Sequence, residues 1–473
     1  MLFTAFGTLA YAHEIDTSKN ASIKHPVQTG YAWQPVTSVT GTEQQAKYFV
    51  IHAKAGEYSE DLYISFPEEG GFRLQSKHEY QEKVEVSNVG LFEPKSIKTI
   101  DYKRESTGAI MMSGTDGTVV RYLKDGSGFS LEIYNASNKK IIYITNGQIA
   151  FAYNRKGKIL RTMVEMPLVS KEAMYNGSMR FASANIVGHH FSLTNADCWS
   201  AHDYSYGNVP LFHSNRGYSI WFNMTYPGEA DMGETNPNKY SVKLDGDKLD
   251  FYFWTGEPLD NLRKYTAITG TSGMTEEWTF GFWSGAMSAA FNGRYHQNAE
   301  RNMEMLFDEV YKGKYNFYPE AFYGEGQNSQ NANSLNFAQQ RGSKVLYWFY
   351  PASGYSTMSE YLPEMSKPTP MFDADGKCIS TGYPYIYVTP LLKLMNFYSF
   401  SETNWYDYSN PSTVEVTRAR LWQLWQWGLA GAMIDYGENL SFSGTCFNGL
   451  SGMEMHNLNS YYYAMNSNIA WTN

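Results

Sequence analysis

Two carboxylates on one short stretch are the residues best placed to do chemistry in this chain. Asp435 is the first charged residue after the apolar run 429–434, and Glu438 follows just beyond Gly437. A short uncharged run of this kind fits a parallel strand covered on both faces. In parallel α/β folds the loops at the carboxyl ends of the strands build the active site. Asp435 therefore stands where a nucleophile should stand, and Glu438 is spaced to hydrogen-bond or polarise it. The alternative reading is that Asp435 caps the helix that follows.

The elements that must position Asp435 are written just upstream. Asn410 is a good N-cap, and Pro411 suits the first helical position. Val414, Leu421, Leu424 and Trp425 recur at helical spacing, so one face is apolar. Gly428 stands where a left-handed residue closes a helix. The order is thus helix, tight stop, buried strand, carboxylate.

With 473 residues the chain is too long for one ordinary domain. Apolar residues (42%) and aromatic residues (16%, with 38 Tyr) suffice for large cores. Abundant Tyr and Trp also suit carbohydrate contact, since an aromatic face is apolar while Tyr keeps a polar tip. A net charge of −9 argues against a nucleic-acid partner, which would need basic clusters. Cys198, Cys378 and Cys446 are odd in number and far apart, so they form neither a disulfide framework nor a zinc site. No metal-ligand spacing, phosphate loop or Ser-His-Asp order stands out, and no cofactor is expected. No stretch after the N-terminus is long and apolar enough to span a membrane. Residues 1–13 are apolar and end in Ala10-Tyr-Ala12, like the remnant of a signal peptide without its basic start. Secretion or a periplasmic location is the expectation, with a cytoplasmic one as the alternative.

Residues 14–255 read as a β-sandwich, because turn signals such as Thr115-Asp-Gly, Lys124-Asp-Gly and Asn154-Arg-Lys-Gly separate short β-branched or aromatic runs. A hairpin is expected from residues 240–244, a turn at Asp245-Gly246, and residues 248–254. Residues 256–274 read as a linker. Its helix, 257–269, is opened by Pro258, has Leu259, Leu262 and Tyr265 along one face, and is ended by Gly270. From about residue 275 strands and helices alternate, the signature of a parallel barrel. Strands are expected at 279–284, 317–323, 344–350 and 429–434, with helices at 298–311, 335–341 and from 453 to about 467. Residues 352–404 form a long excursion with a turn at Asp373-Ala-Asp-Gly376. A complete eight-stranded barrel takes about 250 residues, so only four strand–helix units fit into 275–473.

The segment Met433-Ile-Asp-Tyr-Gly-Glu438, the later Met455-His-Asn457 and the Asn410-Pro411 pair resemble glycoside hydrolase family 31, as does the order of sandwich then barrel. The resemblance implies an N-terminal antiparallel β-sandwich followed by an incomplete (β/α)8 barrel. It implies a retaining α-glycoside hydrolase acting on α-linked oligosaccharides or glycosides, with Asp435 as nucleophile and Glu438 supporting it. The Asp-Tyr-Gly-Glu form is nearer to the α-xylosidase and sulfoquinovosidase branches than to the α-glucosidase form. Asp197, in the polar and aromatic loop 195–218, best matches the acidic residue that such sandwiches extend over the barrel mouth; an Asx-turn is the alternative. Glu325, after strand two, is a candidate sugar-hydroxyl contact or a solvated loop carboxylate. Trp283 is a candidate wall of the sugar pocket or a core residue. His456 reads as a helix-packing hydrogen bond rather than a catalytic group. The family carries its acid/base Asp after a later strand, and no residue here fits that role. Little or no turnover is therefore expected of these 473 residues alone. The alternative function is a non-catalytic carbohydrate-binding protein.

Overall fold

The computed structural model describes residues 30–76, 92–180, 182–196, 203–285, 305–325, 337–349, 352–353, 404–435, 437–440, 442 and 445–472. The chain divides into two compact units, one essentially within residues 1–268 and the other mostly from 269 onward. The possible signal remnant, the turn 373–376, Cys198 and Cys378 lie outside the described residues.

The first unit is β-rich and sandwich-like. Its organising strand is Tyr31–Gln44. The beginning of that strand pairs with Ile149–Asn154, and the remainder pairs with Phe49–Ala55. Register shifts after Val36 and Val39 mark bulges where the strand bends from one half of the sheet into the other. One half continues through Tyr58–Ser65, Phe72–Gln75, Asp250–Thr255 and Tyr218–Phe222. The other continues through Ile159–Pro167, Lys239–Leu244, Gly228–Asp231 and His190–Ser192. A separate five-stranded sheet runs from Lys103 to Thr145. Alternation along the strands explains the core. Leu62 and Ile64 from one sheet, and Val120, Leu131 and Ile133 from the other, are fully buried in one cluster with Phe72, Phe151 and Phe253.

The expected hairpin at Asp245-Gly246 does not form. Lys239–Leu244 pairs with Ile159–Pro167 and Gly228–Asp231, whereas Asp250–Thr255 pairs with Tyr218–Phe222 and Phe72–Gln75. The segment between them crosses from one half of the sheet to the other. Its turn residue Asp245 is buried and ion-paired with Arg161 instead of being solvated at a hairpin tip.

The helix Pro258–Thr269 forms as expected and ends before Gly270, at φ 88°. Its docking face is the expected one only at Tyr265, which packs against the Trp221 cluster. Leu259 is 70% exposed and Leu262 is 39% exposed. Asn261 is buried instead, donating to Ser219 Oγ (2.9 Å) and the Gly256 carbonyl (3.1 Å). Lys264 bonds Asp116 at 2.5 Å, and Tyr265 packs edge-on against Trp221 at 4.9 Å. Polar groups choose this face because a buried Asn must be satisfied, whereas an exposed Leu costs little.

The second unit holds a parallel four-stranded sheet in the order Trp283–Gly285, Ala321–Glu325, Lys344–Phe349, Gly431–Ile434. Several boundaries differ from the sequence reading. Residues 277–280 form a short 3₁₀ turn, so strand one begins at Trp283. Strand two begins at Ala321 rather than 317. The first helix is described over Met305–Tyr315 with wide π-type turns, and Gly313 lies inside it rather than after it. The last helix, Gly452–Thr472, is longer at both ends than expected.

Candidate functional site

Local chemistry builds the approach to Asp435 step by step. Asn410 Oδ1 accepts the Ser412 amide at 3.0 Å and starts the helix Pro411–Gln426. The helix closes with a double-bonded cap: Gly428 N–H donates to Trp425 O (2.8 Å) and Leu429 N–H to Leu424 O (3.0 Å). Gly428 has φ 96°, and a Cβ there would run into the Gln339 side chain. Leu424 and Leu429 share one buried cluster, the apolar contact that accompanies such a cap. Ala430 N–H then donates to Val345 O (2.8 Å), handing the chain to the sheet. Ile434 is level with Phe349, the last residue of strand three, and Asp435 follows it, half-buried. Asp435 thus leaves the carboxyl end of the fourth parallel strand.

Glu438 lies on a short 3₁₀ turn, Gly437–Asn439, and is 5% exposed. The turn is pressed against the helix Gly452–Thr472. A Cβ on Gly437 would lie 3.2 Å from both Ser460 Cα and Tyr463 Cδ1, so a larger residue would push the turn away. Leu440 is buried with Tyr406, Tyr408, Leu421, Met455 and Tyr463. His456 Nδ1 donates to the Leu440 carbonyl at 2.5 Å, and its ring stacks on Phe442 at 4.0 Å. This is the helix-packing bond that the motif led us to expect.

Other polar residues brace the same region, and the sequence reading did not single them out. Asp407, 2% exposed, accepts Ser409 N–H (2.9 Å), Ser409 Oγ–H (2.7 Å) and Phe447 N–H (2.7 Å). Asn459 accepts Tyr408 N–H (3.0 Å) and donates to Tyr406 O (3.2 Å). Ser451 and Glu454 form a capping box, Ser451 N–H to Glu454 Oε2 (2.9 Å) and Glu454 N–H to Ser451 Oγ (3.3 Å). The Ser-x-x-Glu spacing was the available signal for that cap. The thiol of Cys446 is buried and pushed well up by burial and by Asp407 beside it, so it is no nucleophile.

The remaining candidates separate. Glu325 ends strand two, level with Trp348, at the same end of the sheet as Asp435. Trp283 opens strand one, level with Ala321 and hence with Lys344, the first residue of strand three. It therefore sits at the opposite end of the sheet from Asp435, which removes it as a wall of a pocket there. Its indole N–H donates to Thr279 O at 2.9 Å, and it stacks on Trp278 at 6.0 Å. Asp197 lies outside the described residues. Among the described residues no cluster of His, Cys, Asp or Glu could hold a metal, and no helix is long and apolar enough to cross a membrane.

Residues 61–231 match the family model of the glycosyl hydrolase 31 N-terminal galactose mutarotase-like domain. An alpha-xylosidase of Emericella nidulans is 22% identical over 335 residues, covering 66% of this chain and 38% of its own. The chain thus carries a segment similar to the N-terminal domain of glycosyl hydrolase 31 proteins. Its fold is shared with an uncharacterised protein of Listeria monocytogenes solved with α-D-glucose and β-D-glucose (TM-score 0.73, 18% identity, 93% of this chain and 44% of that one). It is shared too with a family 31 dextranase of Flavobacterium johnsoniae solved with isomaltotriose (TM-score 0.71, 15% identity, 93% and 53%). The chain thus spans less than half the length of the alpha-xylosidase and about half of these two.

Proposed function

We propose that this chain carries the nucleophile half of a retaining α-glycoside hydrolase, with Asp435 as the nucleophile and Glu438 as its support. The observation that carries the reading is the position of Asp435. It is the first residue past the carboxyl end of a parallel strand, and a buried carboxylate follows on the next turn. We further propose that the four parallel strands are the first four of a (β/α)8 barrel, and that Asp197 and Glu325 contact the sugar. An α-xyloside is the first substrate class to test, because the similar protein of Emericella nidulans is an alpha-xylosidase.

In this mechanism an oxygen of Asp435 attacks the anomeric carbon. The glycosidic C–O bond breaks, and the departing oxygen takes a proton. Water then attacks the glycosyl-aspartate ester, and configuration is retained after two inversions. The acid/base carboxyl stands about 5–5.5 Å from the nucleophile in such enzymes. We assign no residue among 1–473 to that role. The test therefore uses an activated α-glycosyl fluoride, whose leaving group needs no proton. Incubation with the α-xylosyl or α-glucosyl compound should add one glycosyl mass, mapped by peptide sequencing to Asp435, and Asp435→Asn should remove it. An adduct on a different carboxylate, or saturable sugar binding with no adduct, would overturn the assignment; the latter is the outcome of a binding-only protein.

A further inference from the structure

We infer that His456 is a positioning residue for the nucleophile loop, acting through the Leu440 carbonyl. The inference rests on the reading of Asp435 as nucleophile. The loop leaving Asp435 makes one short 3₁₀ turn, and three contacts among the described residues hold it to the helix Gly452–Thr472. The Gly437 backbone lies against Ser460 and Tyr463. The Leu440 side chain sits in the cluster with Met455 and Tyr463. The Leu440 carbonyl takes the Nδ1 proton of His456 at 2.5 Å. Two of these contacts are apolar packing and allow the loop to slide. The third is directional and fixes the carbonyl, and so the peptide plane, two residues after Glu438.

The chemistry of the ring makes the point specific. His456 is 3% exposed, and its Nδ1 serves as donor to a carbonyl, which sets the tautomer. Phe442 stacks on the ring at 4.0 Å with an interplanar angle of 23°, so the imidazole cannot swing away without losing that face. The loop is therefore gripped on both sides of the ring: by the carbonyl of Leu440 and by the side chain of Phe442. A nucleophile must hold its reacting oxygen to within a fraction of an ångström, and supporting groups supply that precision.

Three variants separate positioning from packing. The amide of His456→Asn places a donor near Nδ1, that of His456→Gln places one near Nε2, and His456→Ala places none. All three are compared with the parent protein for the rate of adduct formation at Asp435 with the activated α-glycosyl fluoride, for the concentration giving half that rate, and for hydrogen exchange of the amides in 437–442. In Ala and Gln the limiting rate should fall by about ten- to hundredfold, with the half-saturating concentration within about twofold. Exchange in 437–442 should quicken in both, and Asn should recover both properties. Equal rates in Ala and parent, or equal impairment of Asn and Gln, would overturn the role of His456. Absence of any adduct in the parent would instead overturn the nucleophile on which it rests.

Discussion

Two clusters of buried polar groups, one in each half of this chain, are built in opposite ways. In the sandwich, charge faces charge. Arg73, 1% exposed, bonds Asp250 at 2.8 and 2.6 Å and Glu93 at 2.5 and 2.9 Å, with the Tyr252 ring 5.0 Å away and Asn223 on the same carboxylate. Around strand four, side chains face backbone. Asn410, Asp407, Asn459 and His456 each bond a main-chain N–H or carbonyl. The first arrangement ties two sheet strands together through a buried Arg73–Asp250 pair, with the half-exposed Glu93 at its outer side. The second shapes a loop. Breaking the first strands an ion in the core; breaking the second leaves one peptide group short of a partner and moves the loop.

The largest expected effect tests the first arrangement. Asp250→Ala leaves the Arg73 guanidinium buried with only the half-exposed Glu93, and should cost about 3–5 kcal/mol. Denaturant unfolding followed by tryptophan fluorescence checks it. A loss below about 1 kcal/mol would put this pair on the level of a surface ion pair.

A second pair sharpens the contrast through pH. Asp245 is buried beside Arg161, and burial outweighs the pull of the guanidinium, so its carboxyl is pushed up to about 6. Arg161, in turn, is held charged by Asp245 and by the Tyr31 hydroxyl. The folded protein binds the Asp245 proton more tightly than the unfolded chain does. That contribution to stability is full at low pH and is lost as the pH rises through about 6. Glu229, held low by His190 and Lys243, stays ionised in the folded protein over this window. From pH 4.5 to 6.5 the parent should lose about 2 kcal/mol relative to Asp245→Asn. Parallel stability curves for the two proteins would show that Asp245 stays ionised when folded.

The smallest expected effect belongs to the loop-shaping set. Asn410→Ala removes one cap from the helix Pro411–Gln426 and should cost about 1 kcal/mol. Exchange should quicken at Ser412 and its neighbours, and the sandwich should be untouched. A loss as large as that of Asp250→Ala would erase the distinction between the two arrangements.

The legible parts of this molecule are those whose signals are local. Asn410, Gly428 and the run before Asp435 each state a cap, a stop or a strand within a few residues, and the structure forms all three. The Asp245-Gly246 turn and, apart from Tyr265, the face of the helix Pro258–Thr269 were misread because their partners are distant. Arg161 decides the fate of Asp245, and Ser219 decides which side of the helix is buried. Periodicity counts apolar residues, so it favoured Leu259 and Leu262 over Asn261. At the candidate site the carboxylates stood out by composition and position. The braces at Asp407 and Asn459 did not, because a polar residue whose partner is a backbone amide elsewhere carries no sequence pattern. Trp283 was misplaced because strand one starts later than its aromatic run, and a shift of a few residues moves a side chain from one end of the sheet to the other.

The pairing of Phe72–Gln75 with Asp250–Thr255 also sets a timetable. Arg73 and Asp250 are 177 residues apart in the chain. A ribosome adding about 5–20 residues per second needs roughly ten to thirty-five seconds to supply the second strand once the first has been made. Throughout that interval Phe72 and Leu74 lack the neighbour that covers them, and the Arg73 cation lacks its buried carboxylate and has Glu93 alone. The newborn sandwich therefore waits with an open strand edge in its middle rather than at its rim. A chaperone that shields extended apolar segments would act here, before Asp250 is translated, and would have nothing left to hold once the crossing segment arrives.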